Sequence, residues 1–454
     1  MATFGKISNL DTIKPSEISM GLSSGKDRIF RNPSGRTGRI EPDLPAPRSA
    51  SAAVALELDA VPMIPSAVSL ESVPQMQAPE KDFCWAHVTG SFRRERSIEG
   101  LLLGVTVGDA IGLGRNGLSR QSALKMFGRG PLRFCMIPGV GIVSSDTHRM
   151  LMTLQAILRS RSQLELFRRN FAMRLRCYLF SMPVMAGRAT LVAAMRLCLG
   201  VPADQSGIDS DDNSPLINGL AIATVLQGTG HSVERWVAVS SEVTHIRPEV
   251  VESSVLVART AYLAIMTNPE NFSAISTIDR LIAVTEDLTL SAWLKDLRVG
   301  LEENLGTHAM ASRLGWGKSI PKSAGPTAIM AIYSWLRHYN SYEKAVERAV
   351  LLGGDTVTLG ALAGGLAGIH LGAKKIPERW ISRLWSWPNG RRWMESLTIR
   401  FTDWPHGSED LHAAPALPAR AALQIVRSAV LASCVAMGSA IRIPWKLSHW
   451  ILGW

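Results

Sequence analysis

One segment constrains this chain more than any other. It runs Leu351-Leu352-Gly353-Gly354-Asp355-Thr356-Val357-Thr358 and continues as Leu359-Gly-Ala-Leu-Ala-Gly-Gly-Leu-Ala-Gly-Ile-His-Leu-Gly372. An apolar stretch leads into a glycine turn carrying a carboxylate and two hydroxyls. A helix of small residues follows. Ala361, Ala363, Gly364, Gly365, Ala367 and Gly368 leave room for another backbone to come close. Oxygen donors on a tight glycine turn suit a hard divalent cation such as Mg²⁺. The same turn also reads as a plain helix start, with Asp355 or Thr356 as N-cap.

The rest of the chain repeats the helical period. Ile98, Leu101, Leu102, Val105 and Ile111 suit one long buried helix, and Ser145-Asp146 is an N-cap for the run from Met150 to Leu158. Further helical patterns cover about 163–180, 188–198, 215–226, 248–267, 288–303, 325–338, 342–352 and 356–371. Strand alternation is almost absent, so the spacing predicts an all-α, compact multi-helix bundle. Residues 1–85 are rich in Ser, Pro, Gly and Ala without periodicity and read as a disordered leader. The leader also resembles the unstructured secretion regions of bacterial type III effectors, and a plain flexible tail fits equally. Residues 405–418 read as a linker. Residues 419–454 read as an appendix, a helix to about 438 followed by a tail with Trp445, Trp450 and Trp454. That tail suits either a membrane surface or a docked hydrophobic edge.

Composition narrows the function. Cys84, Cys135, Cys177, Cys198 and Cys434 are scattered and odd in number, which argues against a disulfide framework or a zinc site and for a reducing compartment. The net charge of +11 concentrates in Arg93, Arg94 and Arg96 and in the stretch from Arg159 to Arg176. A polyanion partner and a solvated basic face are the two readings, and no recognisable nucleic-acid module accompanies the charge. No apolar run is long enough to span a bilayer, and the first ten residues are too polar for a signal-peptide core.

Two more segments extend the pattern. Gly104-Val-Thr-Val-Gly108-Asp109-Ala110-Ile111-Gly112 lies early, and Ser144-Ser145-Asp146-Thr147 opens a helical run. Gly187-Arg-Ala-Thr-Leu191, Asn218-Gly219, Thr244-His245-Ile-Arg-Pro248 and Ile376-Pro377-Glu378-Arg379-Trp380 follow in order. With these motifs the chain, over roughly 97–390, resembles the ADP-ribosylglycohydrolase family, which includes the dinitrogenase reductase-activating glycohydrolases and J1 crystallin. The resemblance implies an all-α domain. It also implies a site in which T-D-D-T and G-G-D-T-D-T turns hold two divalent cations, with a glutamate after G-D-A-x-G. The cations would hold the hydroxyls of ADP-ribose and a water at the glycosidic carbon.

This chain departs from that pattern at three places. Ser145 stands where a carboxylate belongs, Val357 replaces the second aspartate of the last motif, and Asn116 occupies the place of the glutamate. Two divalent cations carry four positive charges, whereas Asp146 and Asp355 supply two negative ones. The sequence therefore predicts one Mg²⁺ or Mn²⁺ at most, held by Ser144, Asp146, Asp355 and Thr358, and no complete two-metal centre. Asp146 and Asp355 are the candidate catalytic acids. Asn218, Lys322, Ser323, Gly353, Gly354 and Thr356 are candidates for holding ADP-ribose, with the lysine and serine facing its pyrophosphate. Asp109 is expected to fix the helix end. His148 reads as a base or as an early-helix residue facing solvent, and His245 as structural.

Two functions follow from the same scaffold. One is recognition of ADP-ribose or of an ADP-ribosylated protein, a host protein among the possible partners, with lost or altered hydrolase chemistry. The other is an active ADP-ribosylhydrolase using one metal. The expected location is the bacterial cytoplasm, or a host cell reached by secretion as an effector.

Overall fold

A computed structural model describes residues 91–183, 185–402, 404 and 423–437. The long helix α1 (Ser91–Leu113) and the short α2 (Arg120–Phe127) lead to α3 (Ser145–Leu158), α4 (Leu164–Phe180) and α5 (Arg188–Cys198). Next come α6 (Leu216–Leu226), α7 (Val233–Glu242), α8 (Pro248–Met266), α9 (Ala274–Val284), α10 (Leu288–Glu302) and α11 (Thr307–Arg313). Then follow α12 (Ala324–Arg337), α13 (Tyr342–Val350), α14 (Thr356–Leu371), α15 (Glu378–Ile381) and α16 (Arg391–Thr402). A further helix, α17, spans residues 423–437. The strands are two residues each. β1 (Leu118–Ser119) pairs antiparallel with β3 (Gly353–Gly354), and β2 (Gly141–Ile142) pairs parallel with β4 (Leu384–Trp385).

The helices expected from hydrophobic spacing are all present. Those it missed are α2, α7, α9, α11, α15 and α16; α7, α9 and α16 bury apolar faces that the spacing did not single out. The first cap moves by one residue: Ser144, not Ser145, is the N-cap of α3, and its hydroxyl accepts from the Asp146 amide at 3.4 Å. α16 carries the helical body past residue 390, with Leu397 and Phe401 fully buried. The leader, the linker and the tryptophan tail lie outside the described residues.

α14 is the axis of the fold. Every residue from Thr356 to Leu371 is buried, the mark of a helix enclosed on all sides. Its closest partner is α1, and the seam between them is made of glycine. A Cβ on Gly100, Gly104, Gly108 or Gly112 would lie 2.0–2.4 Å from the carbonyl oxygen of Gly368, Gly364, Gly360 or Thr356 respectively. The spacing of four places all four glycines of α1 on one face. The two helices therefore touch backbone to backbone, running in opposite directions. Tyr342 fills the flank of this seam and donates its hydroxyl to Gly104 O at 2.7 Å.

The antiparallel register has one consequence for chemistry. It brings the C-terminal end of α1 against the N-terminal end of α14, where Thr356 Oγ1 donates to Gly112 O at 2.7 Å. Part of the basic charge is structural as well. Arg94 donates to Val225 O at the end of α6, and Arg96 to Leu371 O at the end of α14. Both meet the free carbonyls that a helix C-terminus leaves.

Candidate metal and ADP-ribose site

The site forms where three helix ends meet. The turn before α14 needs Gly353 and Gly354, whose φ angles are +77° and +85°. It is clamped between two chains: Gly117 N donates to Gly354 O at 2.9 Å and Ile320 N to Gly353 O at 3.3 Å. The clamp aims Asp355 at the start of α3. Asp109, near the end of α1, fixes that start from behind. It accepts from the amides of Ser144 and Thr147 at 3.0–3.1 Å and from Thr147 Oγ1 at 2.5 Å. Asp109 is thus an anchor for α3, as expected from sequence.

Asp146 and Asp355 line one hollow of about 20 Å³, together with Asn116, Ser144, Ser145, Met185, Asn213, Lys322, Val357 and Thr358. Thr358 joins the two acids. Its hydroxyl donates to Asp146 Oδ2 at 2.7 Å, and its amide donates to Asp355 Oδ1 at 3.4 Å. Asn213 Nδ2 donates to Asp355 Oδ2 at 3.2 Å and to Thr327 Oγ1 at 3.0 Å, tying the acid to α12. Burial, with Asp109 and Asp355 nearby, pushes the Asp146 carboxyl up to about 8; the Thr358 bond and Lys322 oppose this. Burial also raises Asp109.

The donor set suits a divalent cation. Two carboxylates and the hydroxyls of Ser144 and Thr358 are hard oxygen donors, and two crowded buried acids gain from a positive charge between them. Val357 offers no donor and is packed into an apolar cluster with Leu113, Ile142, Leu431 and Cys434. Among the described residues no group of three or more His, Cys, Asp or Glu side chains gathers round one point.

The predicted residues divide into three groups. Ser144, Asp146, Asp355, Thr358 and Lys322 are brought together in the hollow. Ser323 lies beside it, lining a neighbouring cavity of about 260 Å³ with Arg247 and Trp293. The others lie behind the wall. Gly353 and Gly354 supply the turn, and Thr356 spends its hydroxyl on Gly112 O. Asn218 is fully buried and accepts from Arg149 Nε at 2.9 Å and from Thr153 Oγ1 at 3.1 Å. The asparagine that reaches the hollow is Asn213, which no sequence motif singled out.

The histidines are both structural. His245 is fully buried, with Nδ1 2.8 Å from Thr244 Oγ1 and Nε2 3.0 Å from Asp212 Oδ1. Burial alone would raise Asp212, but His245 and the hydroxyl and amide of Ser214 outweigh it and hold the acid below the ordinary carboxylate range. His148 does not face solvent, against the expectation for an early-helix residue. It is buried under α17, with Nδ1 2.8 Å from Ser144 O and Nε2 3.0 Å from Gln424 Oε1, its ring stacked near Tyr178.

Burial and the Arg427 charge hold His148 down to about 3. The neutral ring therefore contributes stability that is complete above the ordinary histidine value of ~6.5 and is lost as the pH falls towards 3. Once corrected for intrinsic rates, hydrogen exchange of the α17 amides is expected to accelerate roughly tenfold per pH unit below ~6. In His148→Phe that dependence should vanish. Persistence of the same slope in the variant would assign it to another group.

The geometry agrees with three comparisons. The ADP-ribosylglycohydrolase family profile matches residues 91–410. An uncharacterized protein of Archaeoglobus fulgidus is 27% identical over 312 residues, covering 67% of this chain and 96% of that protein. ADP-ribosylhydrolase ARH3 of Gallus gallus is 28% identical over 174 residues; the match covers 33% of this chain and 46% of that protein, so it spans about half the relative's length. A solved ADP-ribosylglycohydrolase-related protein complex shares the fold at 24% identity with a TM-score of 0.50, covering 68% of this chain and 98% of that one. The chain belongs to the ADP-ribosylglycohydrolase family.

Proposed function

We propose that this chain recognises ADP-ribose, free or attached to a protein, through a site that holds a single Mg²⁺ or Mn²⁺ and has lost the two-metal hydrolase chemistry. The observation that carries this reading is the pairing of Asp146 with Asp355 through Thr358, beside a wall that Val357 has made apolar. When bound, a cation would supply positive charge to ligand oxygens. The chain's own residues do the rest. Asp146 and Asp355 hold the cation, Asn213 orients Asp355, and Lys322 and Asn116 stand at the mouth. A hollow of about 20 Å³ seats an ion or a water, so the ADP-ribose itself would lie across that mouth.

The test is calorimetry of ADP-ribose binding with and without Mn²⁺, beside an assay of ADP-ribosyl-arginine and ADP-ribosyl-serine peptides. Binding without turnover is expected. Asp355→Ala should weaken Mn²⁺ affinity by more than roughly 100-fold. Absence of ADP-ribose binding in every metal condition would sink the proposal. The survival and convergence of both acids favour a second reading, an active one-metal hydrolase. Turnover abolished by Asp355→Ala would establish that one instead.

A further inference from the structure

The wall beside the hollow comes from a distant part of the chain. α17 lies against the starts of α3 and α14 and makes both polar and apolar contacts there. Gln424 meets His148. Arg427, only 3% exposed, donates to Val143 O, one residue before the α3 cap. Its charge acts on Asp109. One and two turns on, Leu431 and Cys434 are 2% and 7% exposed and pack in the cluster that contains Leu113, Ile142 and Val357, with Met185 and Trp385 at its edge. Val357 belongs to both environments, since it also lines the hollow.

A carboxylate at position 357 would stand between the hollow and the apolar side chains of Leu431 and Cys434, which offer an ionised group no partner on that flank. The missing ligand and the helix on top of it are therefore one structural feature. Asp109 anchors the start of α3 from the α1 side, and the buried guanidinium of Arg427 holds the residue before the cap from the α17 side.

We propose that α17 seals the flank where a second cation and its ligand would sit, its Arg427 bond to Val143 O and the apolar packing of Leu431 and Cys434 standing in place of a second metal. This rests on the one-cation reading of the hollow and adds to it the agent that enforces the number. It predicts that restoring the lost carboxylates alone does not restore a two-metal centre.

The experiment counts bound Mn²⁺ by electron paramagnetic resonance in the full chain. Ser145→Asp with Val357→Asp should bind no more Mn²⁺ than the wild type. Adding Leu431→Asp and Cys434→Asp to that pair, which makes the inner face of α17 polar, should admit one further ion per chain. Two ions in the Ser145→Asp, Val357→Asp chain, with α17 unaltered, would overturn the proposal; so would no gain after α17 is released. A second measurement needs no metal. In a background with Cys84, Cys135, Cys177, Cys198 and Cys434 replaced by serine, Val357→Cys should react with a maleimide at least roughly 10-fold faster once Leu431→Asp is added, because the opening of α17 controls access to the thiol. Equal rates would refute the seal. If the wild type binds no Mn²⁺ at all, the one-cation reading fails, while these two differences still decide the role of α17.

Discussion

Gly364→Leu is expected to leave the chain without a stable fold. Position 364 faces Gly104 across the α1–α14 seam, and a Cβ there would come within 2.5 Å of Gly104 O and 2.9 Å of the Tyr342 hydroxyl. The obstructing atoms are mostly backbone, so no rotamer change can relieve the clash. The two helices must separate, and every other contact along the seam loosens with them. Overfilling an ordinary core site costs about 1–3 kcal/mol. Here the loss should exceed ~3 kcal/mol, a large share of the stability of a typical domain. Gly364→Ala should fall between the leucine variant and wild type. Gly306→Ala, where a Cβ meets nothing within 4 Å, is the matched control and should be close to neutral. Urea unfolding followed by circular dichroism would rank the series. A Gly364→Leu protein as stable as the Gly306→Ala control would show that α1 and α14 do not meet as described.

The same seam shows how far the sequence could be read. Small residues in the 359–372 run predict a close partner backbone, and Gly104, Gly108 and Gly112 stand out as a motif at a spacing of four. What the sequence cannot show is that these two observations describe one contact, because 244 positions separate Gly112 from Thr356. The convergence of Asp146 with Asp355 is legible for a related reason. Both sit at helix starts marked by turn residues, and the family resemblance places them together. Asn213 is not legible. It lies in Asp211-Asp212-Asn213-Ser214, a polar turn like many others, and only the fold aims it at Asp355. Asn218 misleads in the opposite way. An asparagine inside the apolar run Leu216–Leu226 looks like a site residue, yet its Oδ1 accepts from Arg149 and Thr153 and its Nδ2 donates to Ser240 O. α17 is legible as a helix, but its place against Val357 is a non-local contact that no spacing within residues 419–438 encodes.

Arg149→Ala is expected to show what that arginine holds together. Arg149 is 3% exposed, and its guanidinium reaches three elements at once: Nε donates to Asn218 Oδ1 on α6, one terminal nitrogen to Thr190 Oγ1 on α5, and the other to Thr244 Oγ1 after α7, each at 2.9 Å. The ring of Phe171 lies 5.8 Å from the guanidinium carbon, which places α4 in the same group. Burial lowers the arginine to about 10, far above neutral pH, so the charge is kept, and Asp212 and Asp146 help to hold it. Truncation would take a charged donor from three buried acceptors, of which Asn218 Oδ1 keeps Thr153, and remove the positive charge facing those two acids. The expected loss is ~3–5 kcal/mol. Arg149→Lys keeps the charge but cannot present three donors in a planar fork, so it should recover only part of that loss. The damage should also reach the hollow. Thr244 supports His245, His245 supports Asp212, and Asp212 accepts from the amide and hydroxyl of Ser214, next to Asn213. Hydrogen exchange at residues 211–215 should therefore rise in Arg149→Lys even where the global stability is largely retained. Unchanged exchange there, beside a clear loss in urea stability, would confine Arg149 to the core and separate it from the site.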